Sequence, residues 1–375
     1  MKAEAKILGM ACALSALSWS AAAWAVTPAD AAPAAPETAP VKPQPAFPAP
    51  LAAKTLLLDL ARAGDDLIAV GAYGDIVRSK DGSTWVQSPS PVRELLTAVQ
   101  FVDTGQGWAV GHDAVILHTG DGGVHWTLQN FQPGLQAPIL NLLMLDARHG
   151  FALGAFGLLK KTDDGGATWV DVKAAPITAD QLHLYRMIRL GDGTLLIAAE
   201  QGTLYASSDG GGHWSRVRSP YGGSFFGALP VGDKGALIFG LRGHAYLSDD
   251  VSADVVLPAP PPAAGKAATT GKGEAGDDRA GAGDAGDGEA EKPTGGNWRA
   301  IDTKTTASLF GGARLAGGQF ALVGASGEVV LVAADGGSVR ALEPPTDQDL
   351  AAALPFDHGL ILVGAKGAFR MQSLK

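Results

Sequence analysis

The sequence predicts an all-β fold, a seven-bladed β-propeller. Three observations predict it: a four-residue G-x-x-G box recurs seven times, its spacing is nearly constant, and a second turn rich in Asp and Gly recurs in phase with it. The boxes stand at Gly71 to Gly74, Gly111 to Ala114, Gly154 to Gly157, Ala199 to Gly202, Gly240 to Gly243, Gly324 to Gly327 and Gly364 to Gly367. Successive boxes are 40, 43, 45, 41, 84 and 40 residues apart, so one repeat carries an insertion about as long as a repeat. A period of this size, with three or four short strands per unit, is the pattern of a propeller blade.

Within each unit, short apolar runs bounded by Gly and Asp read as buried strands and not as helix. In Gly107 to Trp126 one strand ends at Gly111, the chain reverses at His112-Asp113, a second strand runs from Val115, and a turn at Asp121-Gly122-Gly123 leads to Trp126. An inner strand opens each repeat: Leu56 to Leu60, Leu95 to Val102, Ile139 to Leu145, Leu182 to Leu190, Phe225 to Val231, Leu309 to Leu315 and Leu350 to Leu354. The seventh repeat stops after its third strand, so a segment at Gln44 to Ala49 is expected to supply the missing outer strand and close the ring. Prolines are tolerable there because the outermost strand is an edge.

The second turn stands as Ser79 to Trp85, Thr119 to Trp126, Thr162 to Trp169 and Ser207 to Trp214. It resembles the Asp-box, S/T-x-D-x-G-x-T-W, of sialidases and BNR-repeat propellers. Asp81, Asp121, Asp164 and Asp209 are expected to cap their turns, since Asx side chains bond to backbone N–H groups two or three residues on. Trp85, Trp126, Trp169, Trp214 and Trp298 fall at one equivalent place, which favours packing over a ligand stripe. His125 and His213 replace the box Thr; they lie in different blades without clustered carboxylates, so no metal is assigned and no cofactor is expected.

Met1 to Ala25 combines Lys2 and Lys6, an apolar run and an Ala-Trp-Ala end, and so reads as a secretory signal cleaved after Ala25. Residues 26–43 form a Pro/Ala-rich linker, and the propeller is expected over 44–375. The only cysteine, Cys12, lies in the signal, leaving no disulfide to form after export. A net charge of −9 argues against non-specific nucleic-acid binding. No later apolar run is long enough to span a bilayer, and a monomer is expected. The insertion in blade five, 251–297, is Pro/Ala-rich and then Gly/acidic, which predicts disorder.

The G-x-x-G turns and the links between blades emerge on one face, and the Asp-box turns on the other. The first face gathers residues that vary from blade to blade beside constant glycines. From it Tyr73, His112, Asp113, Phe156, Glu200, Arg216, Arg218, Arg242 and Lys366 are the candidate partner-binding residues.

The repeats from Thr55 onward are similar to the photosystem II stability/assembly factor family of BNR-like propellers, whose repeat reads G-x-x-G-x-I-x-x-S-x-D-G-G-x-x-W. Gly71 to Trp85, GAYGDIVRSKDGSTW, nearly spells it. The resemblance implies a non-enzymatic, periplasmic or otherwise exported scaffold or assembly factor with a membrane-associated protein partner, for some members an RND-type transporter. The alternative is a sialidase-like glycoside hydrolase, for which Tyr73 with Glu200 and the arginines Arg93, Arg216 and Arg242 would have to meet at the channel mouth.

Overall fold

In the computed structural model, which describes residues 41–256 and 296–374, the alternating apolar runs form seven antiparallel sheets. Blade one comprises Leu57–Ala63, Asp66–Gly71, Ile76–Ser79 and Val86–Ser88, each strand paired with the next. The same meander repeats from inner strands Leu96–Phe101, Ile139–Met144, Leu184–Arg189, Phe225–Val231, Leu309–Arg314 and Leu350–Phe356. Inner strands pack side by side around a central channel, and the seventh lies against the first. The fold is the seven-bladed β-propeller that the repeats predict.

The core sits between blades. Seven clusters of buried side chains each join two neighbouring blades, including Leu57, Leu67 and Val77 of blade one against Ile361 and Val363 of blade seven. The second strand of each blade is covered on both sheet faces, so Gly107–Gly111, Phe320–Gly324 and Gly359–Gly364 are buried along their whole length. That is why these strands read as continuous apolar runs. Each such Val, Leu or Ile contributes about 1.5–3 kcal/mol on burial.

Blade seven departs from expectation. Its sheet has three strands, and residues 44–49 do not pair with Gly367–Met371. Pro45, Pro48 and Pro50 lack the amide donors that an outer strand needs. The segment lies along blade one instead, where Ala46 N donates to Ser90 O at 3.1 Å and the Gln87 side chain clamps Ala49 N and Phe47 O. Side chains close the ring: Arg62 donates to Pro355 O, Arg370 to Asp81 O, and both guanidiniums cover the Phe356 ring.

The insertion is also ordered at its ends, contrary to the boundaries 251–297. Val251–Asp254 forms a turn with Val251 fully buried, and Val255–Val256 adds a fifth strand to blade four. Buried Asp254 ties both ends together, accepting from Asn297 N at 2.9 Å while its carbonyl accepts from Arg218 N. Burial of Val251 and strand pairing of Val255 and Val256 offset the cost of ordering; the polar stretch that motivated the expectation, like the signal segment and most of the linker, lies outside the described residues.

The Asp-box turns are built alike. Asp121 Oδ1 accepts from Thr119 Oγ1 and from the backbone of Val124 and His125, while Thr119 Oγ1 accepts from Gly123 N. Thr168 Oγ1 donates to Asp164 Oδ2 at 2.7 Å, and His125 and His213 fill that role through Nδ1 at 2.7 and 2.6 Å from Asp121 and Asp209. The histidines are therefore turn donors. Trp126 packs edge-on against Phe101 and donates to Gly123 O, and Trp214 does the same against Phe151 and Gly211 O. The turn glycines press on the blade before: Gly123 on Ile68, Gly211 on Phe151, and Gly82 on Ile361 across the ring closure.

Candidate partner-binding face

At the opposite end, the box turns share one backbone. Tyr73, Asp113, Phe156, Gln201, Arg242 and Ser326 occupy the third box position with φ between 53° and 59°. Non-Gly residues pay roughly 1–2 kcal/mol there; because six blades share the strain, it belongs to the scaffold and not to any one side chain. The glycine that follows is required where the link to the next blade crosses it. A Cβ at Gly202 would lie 1.9 Å from Tyr221 O, and one at Gly74 2.1 Å from Val92 O. Blade two holds Ala114 at φ 52°, and its link packs on the turn, with Gln132 N donating to Asp113 O and Asn130 Nδ2 to Ala114 O. At the first box position the backbone of Gly71 lies at φ −176°, whereas Ala199 shifts to −137° to seat its side chain.

A β-bulge then adds a second ring of positions. Every inner strand shifts register after its first paired residue, leaving Leu58, Thr97, Leu140, Tyr185, Phe226, Phe310 and Ala351 opposite no partner. Bulged residues are re-aimed, and all seven line one cavity of about 530 Å3 at the channel mouth. In blades four to six the residue is aromatic. Phe156 meets His183 at 4.9 Å between ring centroids, His183 meets Tyr185 at 6.3 Å, Tyr185 meets Phe226 at 5.1 Å, and Phe226 meets Phe310 at 5.7 Å. The result is an arc of five rings from the blade-three turn to the blade-six inner strand. Burial, helped by the Glu200 charge, pushes the Tyr185 hydroxyl pKa up.

The candidate residues divide accordingly. Phe156 is 61 % exposed and heads the arc; Tyr73 is 70 % exposed but stands on blade one. Glu200 Oε2 accepts from His183 N at 3.2 Å and lies 3.3 Å from its buried Nδ1, which makes no hydrogen bond. Arg242 is exposed beside a second stack, Tyr221 on His244 at 4.0 Å, where burial and then the Arg242 charge lower the His244 pKa. His112 and Lys366 are exposed on separate turns, and Asp113 is half-buried with its carbonyl accepting from Gln132 N. Arg216 is committed to Asp180, which also accepts from buried Tyr205 at 2.5 Å and, with burial, drives the tyrosine pKa sharply upward. Arg218 serves through its backbone, holding Asp254 and Trp298. His183, Tyr185, Phe226 and Phe310 were absent from the sequence-based set. The signal for the last three was the residue after the first buried position of each inner strand, aromatic in three successive repeats; His183 precedes that position and follows no such pattern.

Among the described residues no group of three or more His, Cys, Asp or Glu is placed to hold a metal, and no helix is long and apolar enough to cross a membrane. The glycosidase set is not assembled as pairs: Glu200 is engaged with His183, and Arg216 with Asp180.

Comparison with known proteins places this geometry. The family model described as "Photosynthesis system II assembly factor YCF48" matches residues 77–225. The photosystem II assembly protein Ycf48 of Synechococcus sp. (strain JA-3-3Ab) is 36 % identical over 141 residues, and that of strain JA-2-3B'a(2-13) is 32 % identical over 142. The matched stretch is 37 % of this chain and spans 42 % of the length of each relative. A solved structure described as YCF48 bound to D1 peptide aligns over 90 % of this chain and 99 % of its own, with 16 % identity and a TM-score of 0.61. YCF48 from Cyanidioschyzon merolae aligns over 85 % and 95 %, with 15 % identity and a TM-score of 0.57. Repeat sequence and blade architecture agree: the chain is a BNR-repeat propeller, similar over residues 77–225 to the photosystem II assembly factor family.

Proposed function

We propose that this protein is an exported, non-catalytic scaffold or assembly factor that holds a membrane-associated protein partner, such as an RND-type transporter, on its G-x-x-G face. The single observation that carries the reading is the arc Phe156, His183, Tyr185, Phe226 and Phe310, in which three rings from the same bulge position of successive blades join two more into one aromatic surface. Aromatic side chains with adjacent arginine are what protein-binding hot spots are made of. Exposed Arg242 supplies the charge. The relatives named as assembly proteins, and the solved relative described with a bound peptide, support a protein ligand and not a small substrate. The signal-like Met1 to Ala25 supports export.

Affinity purification of the tagged chain from detergent-solubilised membranes, read by mass spectrometry, tests this. The native protein should enrich one integral membrane protein, and a Phe226→Ala, Phe310→Ala double variant should lose it. Equal recovery with both would refute the assignment of the face. Amino-terminal sequencing of the periplasmic form should begin at Val26; an intact Met1 in a cytoplasmic fraction would remove the export element.

A further inference from the structure

Toward the Asp-box end the channel opens into a cavity of about 410 Å3, whose lining includes Asp59, Gln100, Asn141, Arg62, Arg186 and Arg189. Three guanidiniums there face one carboxylate, inside a protein of net charge −9.

The acceptors of this cavity are spoken for. Asp59 Oδ1 and Oδ2 accept from the backbone of Leu60 and Val99 at 2.9 and 3.0 Å. Gln100 Oε1 accepts from Met144 N at 2.7 Å while its nitrogen donates to Met144 O, and Asn141 Oδ1 accepts from Met187 N at 3.1 Å. Arg62 is held by Pro355 O and Phe356. What remains is donors alone. Among the described residues the guanidiniums of Arg186 and Arg189 and the amide nitrogen of Asn141 have no hydrogen-bond partner, and Arg186 is half-buried.

Unpaired donors with positive charge, on half-buried Arg186 and exposed Arg189, call for a ligand that only accepts. We infer that this cavity is an oxyanion site, taking a small multiply charged phosphate or polycarboxylate between Arg186, Arg189 and Asn141. Burial raises the Asp59 pKa, against the pull of Arg186, which agrees with a weakly hydrated cavity floor. The site adjoins the cavity of the aromatic arc, which Asp59, Asn141 and Arg186 also line, and extends past it to Arg62 and Arg189 at the strand ends farthest from the G-x-x-G turns.

Isothermal titration of the full chain with sodium phosphate and, separately, citrate, at matched ionic strength against sodium chloride, tests it. Saturable binding tighter than about 1 mM is expected for at least one of the two. Response to phosphate alone assigns a phosphate ligand, and to citrate alone a polycarboxylate. Arg186→Gln and Arg189→Gln should each weaken binding about tenfold or more, with thermal unfolding unchanged for Arg189→Gln, whose exposed side chain makes no structural hydrogen bond. Arg93→Gln, at the other end of the propeller, should bind like the native protein. Binding by neither anion, or binding kept in the Arg186→Gln, Arg189→Gln double variant, would overturn the site while leaving the partner face untouched.

Discussion

The two ends of the propeller are made from the same repeat, yet different things recur at each. At the Asp-box end, four turns repeat the same hydrogen bonds, and where the side chain changes, as at His125 and His213, the bond it makes does not. At the G-x-x-G end only the backbone repeats: the third box position is Tyr, Asp, Phe, Gln, Arg or Ser at nearly one value of φ. Repetition of contacts marks what the fold needs. Repetition of backbone with free side chains marks what a binding surface can use.

Substitutions should separate the two ends, and the largest effect belongs to the repeated contacts. Trp126→Ala removes a ring packed on Phe101 between blades one and two and should cost about 3–5 kcal/mol in denaturant melts. A loss below about 1 kcal/mol would show that the tryptophan is not part of the core. Next comes the backbone of the G-x-x-G end. Gly202→Ala meets both a positive φ of 67° and the Tyr221 carbonyl, and should cost about 2 kcal/mol or more. Ala114→Gly, at the same box position in blade two, should change stability by less than about 1 kcal/mol, because relief of strain opposes a more flexible unfolded chain.

Phe156→Ala inverts the pattern. Its exposed ring should be removable within about 0.5 kcal/mol of native stability, while partner recovery falls about tenfold. Equal losses in stability and recovery would blur the division between the ends. The smallest effect is the acid response of the Asp-boxes. Hydrogen bonds from the turn hold Asp81, Asp121 and Asp164 at pKa values of about 2, below their ordinary value of 3.8. A carboxylate depressed in the folded state stabilises it above the unfolded pKa, and that contribution fades as pH falls from near 4 toward 2. Thermal midpoints should therefore drop over that window, and Asp121→Asn should flatten the drop slightly.

Much of this was legible before any coordinates. Seven boxes in register with Asp-box turns determined blade number, core tryptophans and the two faces, because each signal is local and repeated. The aromatic arc was not, since a bulge residue is defined by cross-strand register: Phe226 and Phe225 look alike in sequence, yet Phe225 is buried in the core and Phe226 points into the channel mouth. Closure at Gln44 to Ala49 was misjudged because the vacancy in blade seven was counted without asking whether prolines could fill it. Arg216 and Arg218 stood in the candidate set by charge, but Asp180 and the ends of the insertion engage them across 36 residues and more of sequence.

The division between ends is tested most directly by photocrosslinking in cells, with a photoreactive amino acid placed at position 156 in one strain and at 213 in another. Both positions are exposed and both variants should fold. One membrane-protein adduct should form from position 156 and not from position 213. The same adduct from 213, with none from 156, would place the partner on the Asp-box end and contradict the account.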